Sequence, residues 1–263
     1  MRKEAGVLCL LGCVAGSAAG AESIGDLALT KCSALVAQLV KADLSKREFE
    51  TTVANRERGK TAVDGVQLPR VDGGAVAFAV PTSAVSVKYN ADRGYFDVEV
   101  DLGPDAMLIG DRRALRIDLD RRRTRVRSYR ASNAFGVKVE VTDSTFEVCG
   151  LAMLNRDSAN PYDRRIAGEV DATPTAAQSL KPRLGVALVV QPAAPFISAV
   201  AEGKAATVAS PYAATVVGSA AVVDLVAAWI YDKVTGQVLA KVPHAKPDLG
   251  GWPAIPASLS PKD

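Results

Sequence analysis

The chain reads as an α+β protein dominated by antiparallel strands, with an N-terminal helical segment packed on an antiparallel sheet or sandwich and a C-terminal β-hairpin. Three observations predict this. From Val85 to Leu154 apolar and polar residues alternate with a period of two, as in strands with one buried face. Between Asp26 and Ala42 the apolar residues recur instead at three and four positions, the period of a helix. Finally, Val222 to Tyr231 and Gln237 to Val242 flank Asp232-Lys233-Val234-Thr235-Gly236, a turn with glycine where a positive φ is often needed.

Residues 1–21 have the three parts of a secretory signal: Arg2 and Lys3, an apolar run from Ala5 to about Val14, and small residues ending in Ala19-Gly20-Ala21. Cleavage between Ala21 and Glu22 is expected, giving a periplasmic or otherwise exported protein of the bacterial envelope. A second reading takes Leu10-Leu11-Gly12-Cys13 as a lipobox, with Cys13 acylated and the product an outer-membrane lipoprotein. The short apolar run ahead of Cys13 and the bulk of Leu11 weigh against it. No later stretch has about 18 uninterrupted apolar residues, so no transmembrane span is expected.

Cys9 and Cys13 leave with the signal, and Cys32 and Cys149 remain. In an exported chain such a pair predicts one disulfide, which here closes a very long loop and ties a helix to the end of the sheet. The absence of a Cys-x-x-Cys pair argues against a redox role.

The N-terminal helical segment spans residues 22–60. Leu27, Cys32, Leu35, Val36, Leu39 and Val40 line one helical face, and Ser45 with Glu48 reads as a capping box opening a second short helix that ends near Gly59. Gly73-Gly74 then leads into an antiparallel β region, residues 75–155. Its runs are Val85, Val87 and Tyr89; Phe96, Val98, Val100 and Leu102; Leu115, Ile117 and Leu119; Val137, Val139 and Val141; and Phe146 with Val148. Ala91-Asp92-Arg93-Gly94 reads as the first hairpin turn. The wet face carries Asp97, Glu99 and Asp101 on one run and Arg116, Arg125, Arg127 and Lys138 on later ones, so cross-strand charge pairs worth about 0.2–1 kcal/mol each are expected. Ser132 to Gly136 reads as a bulge that plugs Phe135 into the core. A polar boundary at Asn155 to Pro161 precedes a second mostly-β region, residues 156–242, which includes a strand at Leu184 to Val190 and the hairpin. A Pro-rich tail with Trp252 fills residues 243–263.

Function is constrained mainly by exclusion. With 32 basic and 29 acidic residues the net charge is only +3, which offers no global attraction for nucleic acid. The single histidine, His244, opens the tail and reads as a surface residue, so a Ser-His-Asp triad has no well-placed base. One histidine and two mature cysteines cannot assemble a four-ligand zinc site of nitrogen and sulfur donors. Gly59-Lys60-Thr61 imitates the end of a phosphate loop, but Ala54 stands where its first glycine belongs and no strand precedes it. No catalytic residue, metal ligand or cofactor is therefore assigned.

The strongest local signal is nine arginines between Asp111 and Arg130. Arg121, Arg122, Arg123, Arg125, Arg127 and Arg130 form the candidate binding set, with the first three at what reads as a strand-to-strand connection. A charged edge that resists aggregation is the plain reading. The functional reading is a contact surface for a protein or an anionic envelope component, on a non-enzymatic binding or interaction protein. The alternatives are an envelope-polymer hydrolase acting through acidic residues such as Asp97 or Glu99, and an immunity-type inhibitor. A binding protein requires an exposed, flat arginine patch, and an enzyme a deep cleft with convergent carboxylates.

Overall fold

The computed structural model describes residues 29–244 apart from 43, 45, 46, 133 and 134. The expected signal segment with Cys13, Ser45 of the expected capping box and the tail beyond His244 lie outside the described residues.

Among the described residues, ten strands form two sheets and three α-helices accompany them. The smaller sheet contains β2 (Val85–Asn90), β3 (Tyr95–Asp101) and β7 (Arg165–Asp171), with β3 central and both pairs antiparallel. The larger contains β1 (Val76–Ala79), β4 (Ala106–Ile109), β5 (Arg112–Ser132), β6 (Lys138–Met153), β8 (Leu184–Lys204), β9 (Tyr212–Asp232) and β10 (Val238–Pro243). Its order is β1-β8-β9-β6-β5-β4, with β10 also paired to β9. The β6–β9 pair is parallel, so this sheet is mixed. A parallel pair needs a crossover, and here the intervening chain supplies β7 to the small sheet and β8 to the large one. Strands from residues 75–155 and 156–242 are thus interleaved in both sheets.

The sheets face each other across the main core. Phe96, Val98 and Val100 turn inward from β3 and share a cluster with Leu151, Met153, Val186 and Leu188 of the large sheet. Burying each such side chain contributes about 1.5–3 kcal/mol. At Gly168 of β7 the layers approach closely: a Cβ there would lie 2.5 Å from Val242 Cγ2 and 2.9 Å from Ile230 Cδ1. The β2–β3 turn is held by the Gly94 N–H, which donates to the Asn90 carbonyl at 2.9 Å, with φ of 72° at Gly94. That angle is what a glycine supplies cheaply.

Helix α1 (Cys32–Lys41) lies against β6, β8 and β9 and buries Cys32, Leu35 and Leu39, one stripe of its surface. Helix α2 (Thr52–Asp64) starts later than the capping-box reading expects. Thr51 is its N-cap, accepting from the Ala54 N–H at 3.1 Å. Glu50 instead closes a turn with the Arg47 N–H at 3.2 Å and receives the Arg58 guanidinium at 2.8 and 2.9 Å. The helix runs through Gly59 because the glycine is needed for packing. A Cβ there would sit 2.3 Å from a carbon of the Phe196 ring, so Gly59 is a helix-to-core contact, while Lys60 and Thr61 of the same motif are exposed. The third helix, α3 (Pro174–Leu180), is capped by Thr173 and links β7 to β8.

Three strands of the large sheet, β5, β8 and β9, each run for 21 residues, and β6 for 16. Only their proximal halves lie under the small sheet and helices. The distal halves continue as an arm in which every β5 residue from Asp120 to Arg130 is exposed. Arg121, Arg122 and Arg123 therefore sit within a strand, opposite Val148, Glu147 and Phe146, and not at a connection. Strand β5 ends at Ser132 and β6 begins at Lys138, so the two form a hairpin, and Phe135 and Gly136 lie at its end. Phe135 there is 92% exposed, not plugged into the core, since no second layer reaches it.

Cys32 and Cys149 form a disulfide with Cα atoms 5.8 Å apart across a sequence separation of 117. It joins the start of α1 to β6, opposite Asp120, where the exposed stretch of β5 begins. Closing a loop of this size stabilises by about 4.7 kcal/mol in the chain-entropy model. Replacing both cysteines by serine is expected to lower the unfolding free energy by about 3–5 kcal/mol, read as a lower urea midpoint. An unchanged midpoint would mean that the disulfide does not constrain the unfolded chain.

Candidate functional site

The arm places all six predicted arginines on one strand. Beyond Leu115, where its pairing with β4 stops, β5 has a single partner strand among the described residues, β6, and its other edge is unpaired by them. Side chains alternate across a sheet, and the register has irregularities at Asp118/Asp120 and Arg123/Arg125. Following this register, Arg121, Arg123 and Arg130 share one face with Phe146, while Arg122, Arg125 and Arg127 share the other with Tyr129.

Some of these charges are internally paired. Arg122 meets Glu147 at 2.7 Å and Arg127 meets Asp143 at 2.7 Å, as the cross-strand reading of the wet face anticipates. The Arg127 guanidinium also lies 5.6 Å from the centre of the Tyr129 ring, and that of Arg121 lies 4.5 Å above Phe146. Arg121 is further 3.7 Å from Asp118. For Arg123, Arg125 and Arg130 the described residues offer no carboxylate within salt-bridge distance. Around them Val126, Tyr129, Phe135 and Tyr212 are exposed, so the arm presents cations interleaved with apolar and aromatic surface.

Arg116 departs from the wet-face expectation: it is only 2% exposed. Its guanidinium forms an ion pair with Glu202 of β8 and lies 3.1 Å from Asp118 and 3.4 Å from Asp105. Strands β6 and β9 separate β5 from β8, so this contact requires the sheet to curl. Val148, Val200, Val216 and Ala220 form a small apolar cluster where the sheet curls. Burial works against the Arg116 charge, but the Glu202 hydrogen bond and the three carboxylates outweigh it and raise the pKa. Burial raises the Asp118 carboxyl above its ordinary value, with Arg116 opposing. Neither Asp118 oxygen has a hydrogen-bond partner among the described residues, so its contact with Arg116 is Coulombic and not a directed bond. The three carboxylates converge on a guanidinium that already neutralises part of their charge.

Asp97 and Glu99 lie on the outer face of the small sheet, in an open depression of about 600 Å³ also lined by Ser86, Lys88 and Glu169. Asp97 stands in register between Lys88 and Glu169, and Glu99 is 3.3 Å from Arg165. His244 is not the surface residue expected. Its ring is half-buried, its Nε2 has no hydrogen-bond partner among the described residues, and burial lowers its pKa. Nearby Arg156, which carries no pattern in the sequence, is buried and donates to the Asp163 carbonyl at 3.0 Å. Among the described residues no group of three or more His, Cys, Asp or Glu is placed to hold a metal ion, and no helix is long and apolar enough to cross a membrane. Comparison with known protein families, curated proteins and solved structures finds no match for this chain.

Replacing Arg116 by methionine leaves buried Asp118 with only the half-exposed Arg121, 3.7 Å away, as counter-charge, and is expected to cost about 3–5 kcal/mol of stability near neutral pH. The half-exposed Asp105 and Glu202 can turn to water, so the lower end applies. Asp118 itself acts with the opposite sign. Its carboxyl is raised in the folded state, so the linked stability is fully present below the unfolded pKa and is lost as pH rises through the folded one. Asp118→Asn removes this dependence, and wild type should lose stability relative to it between about pH 3 and about pH 7. Urea unfolding of both proteins at the two pH values checks the sign, and a constant difference would contradict it.

Proposed function

We propose that the mature chain is an exported protein of the bacterial envelope that acts by binding rather than by catalysis, with the arm as its contact surface for a protein or another anionic envelope component. The observation that carries this reading is the exposure of Arg121, Arg122, Arg123, Arg125, Arg127 and Arg130 along a strand that neither face of the body covers. Arg123, Arg125 and Arg130 in particular keep their charge available, since no carboxylate among the described residues pairs with them. Guanidinium groups beside exposed aromatic rings suit contact with acidic or planar partners.

Export rests on residues 1–21, and the Cys32–Cys149 disulfide supports it, because such bonds persist in oxidising compartments. Cleavage after Ala21 yields a free periplasmic chain and lipidation at Cys13 an anchored one, and the intact mass of the exported protein distinguishes them. An immunity-type inhibitor would use the same arm. The hydrolase reading has weaker support, because Asp97 and Glu99 lie on an open face, each beside a cation.

The test is a pull-down from envelope extract with the mature protein and with a variant carrying Arg123→Ser, Arg125→Ser and Arg130→Ser. These sites leave no internal ion pair broken among the described residues, so the unfolding midpoint should stay within about 0.5 kcal/mol of wild type. A partner captured by wild type and lost with the variant is the expected result. Equal capture by both would remove the arm from the proposal.

A further inference from the structure

We propose that the arm takes its partner by strand addition: an extended acidic segment pairs with the open edge of β5 along Arg125–Ser132. This rests on the reading of the arm as a binding surface and specifies how it binds.

The backbone is the first argument. On the side away from β6, the pairing of β5 with β4 ends at Leu115, and the Arg116 N–H is taken by the Asp105 carbonyl at 2.9 Å. Farther along, that edge has no paired strand among the described residues. Both irregularities of the β5–β6 register lie before Arg125, and from Arg125 to Ser132 the ladder runs without a shift opposite Thr145 to Lys138. Eight regular residues give an edge of about 26 Å with alternating outward N–H and C=O groups. An extended peptide can bond to that edge as it would to any sheet margin.

Charge supplies the second argument. Along this stretch Arg125, Arg127 and Tyr129 project on one face and Val126 and Arg130 on the other. A membrane or polymer laid against one face would meet only one of these sets. An added strand sends alternate side chains to both faces and meets the two together. A second copy of this chain is disfavoured as the occupant, because pairing β5 with β5 brings its arginines together, and like charges set opposite one another destabilise a sheet. The same arginines that keep copies apart attract a strand with acidic residues on the Arg125–Arg127 face.

The probe is a fluorescein-labelled peptide, Glu-Val-Glu-Val-Glu-Val-Glu-Val with blocked ends, followed by anisotropy against the mature protein. Its control is the same peptide N-methylated at every amide, which keeps the charge and side chains but loses the backbone donors. Strand addition predicts binding of the first peptide, its loss on N-methylation, and slowed amide exchange within residues 125–132. Arg125→Ser with Arg127→Ser should weaken binding by about tenfold, while Arg93→Ser in the distant β2–β3 turn should leave it unchanged. Equal binding of the methylated peptide, or binding without slowed exchange in that stretch, would overturn strand addition and leave the arm an anion-binding surface. No binding of either peptide would also overturn it, and the pull-down would then judge the arm separately.

Discussion

A strand advances about 3.3 Å per residue, so the 21 residues of β5, β8 and β9 span at most about 70 Å, and β5 and β8 somewhat less because of their bulges. The central strand of the covering sheet, β3, has seven residues and reaches about 23 Å. This mismatch in length governs the rest of the molecule. Where the layers overlap, the long strands carry Leu115, Ile117, Leu151, Met153, Leu188 and Val223, and all are buried. Past the overlap β5 carries mainly arginine, threonine and serine around the exposed Val126 and Tyr129, and burial on the neighbouring strands is limited to a few small residues such as Val141, Val148, Val200 and Val216. The arm therefore draws little on burial. It depends on its ladder hydrogen bonds, on cross-strand pairs such as Arg122–Glu147 and Arg127–Asp143, and on its anchorage at the Cys32–Cys149 bond.

The same residue type does opposite things on the two halves of β5. Arg116 lies where the sheet curls, and a buried guanidinium there would be intolerable without counter-charges. Asp105, Asp118 and Glu202 supply them from three different points in the chain, so the ion cluster specifies the curl as much as it stabilises it. Its net contribution is modest, because Asp118 is held in a site that disfavours its charge. Five residues further on, Arg121 stands over Phe146 in contact with water, and the cost of desolvation disappears. Charge on the arm is thus cheap to keep and open to a partner.

Much of the local structure was legible in the sequence, because period-two alternation and turn glycines act over a few residues. The β2–β3 hairpin with Gly94 followed from such signals, the helical stripe of Leu35 and Leu39 from three-and-four spacing, and the pairing of Cys32 with Cys149 from the count of cysteines left after the expected signal. What failed was long range. Arg116 alternates in phase with outward residues, and nothing local indicates that β8 will return Glu202 to meet it. Arg121 to Arg123 resembled a connection because strands rarely carry three charges in a row, and only the missing second layer makes that run tolerable within one. Phe135 was placed in the core by its hydrophobicity, though a hairpin tip has no core to offer. The parallel β6–β9 pairing was invisible for the same reason, since it joins residues about 70 positions apart. The arginine run itself was plain in the sequence, but its arrangement along one edge strand was not.

The continuity of the long strands also bears on how the arm would bind. Strands β5 and β6 pass from arm to body without an intervening loop, and their ladder extends from Leu115–Met153 to Ser132–Lys138. A binding loop must be ordered when its partner arrives, at a cost of about 1–2 kcal/mol for each residue fixed. The β5 edge is already extended and paired on its other side, so most of that cost falls on the incoming segment. Preorganisation of this kind favours affinity without enlarging the contact. The disulfide and the Arg116 cluster both lie at the base of the arm. Fixings there hold the strands in one conformation where the arm leaves the body, as preorganised binding would require.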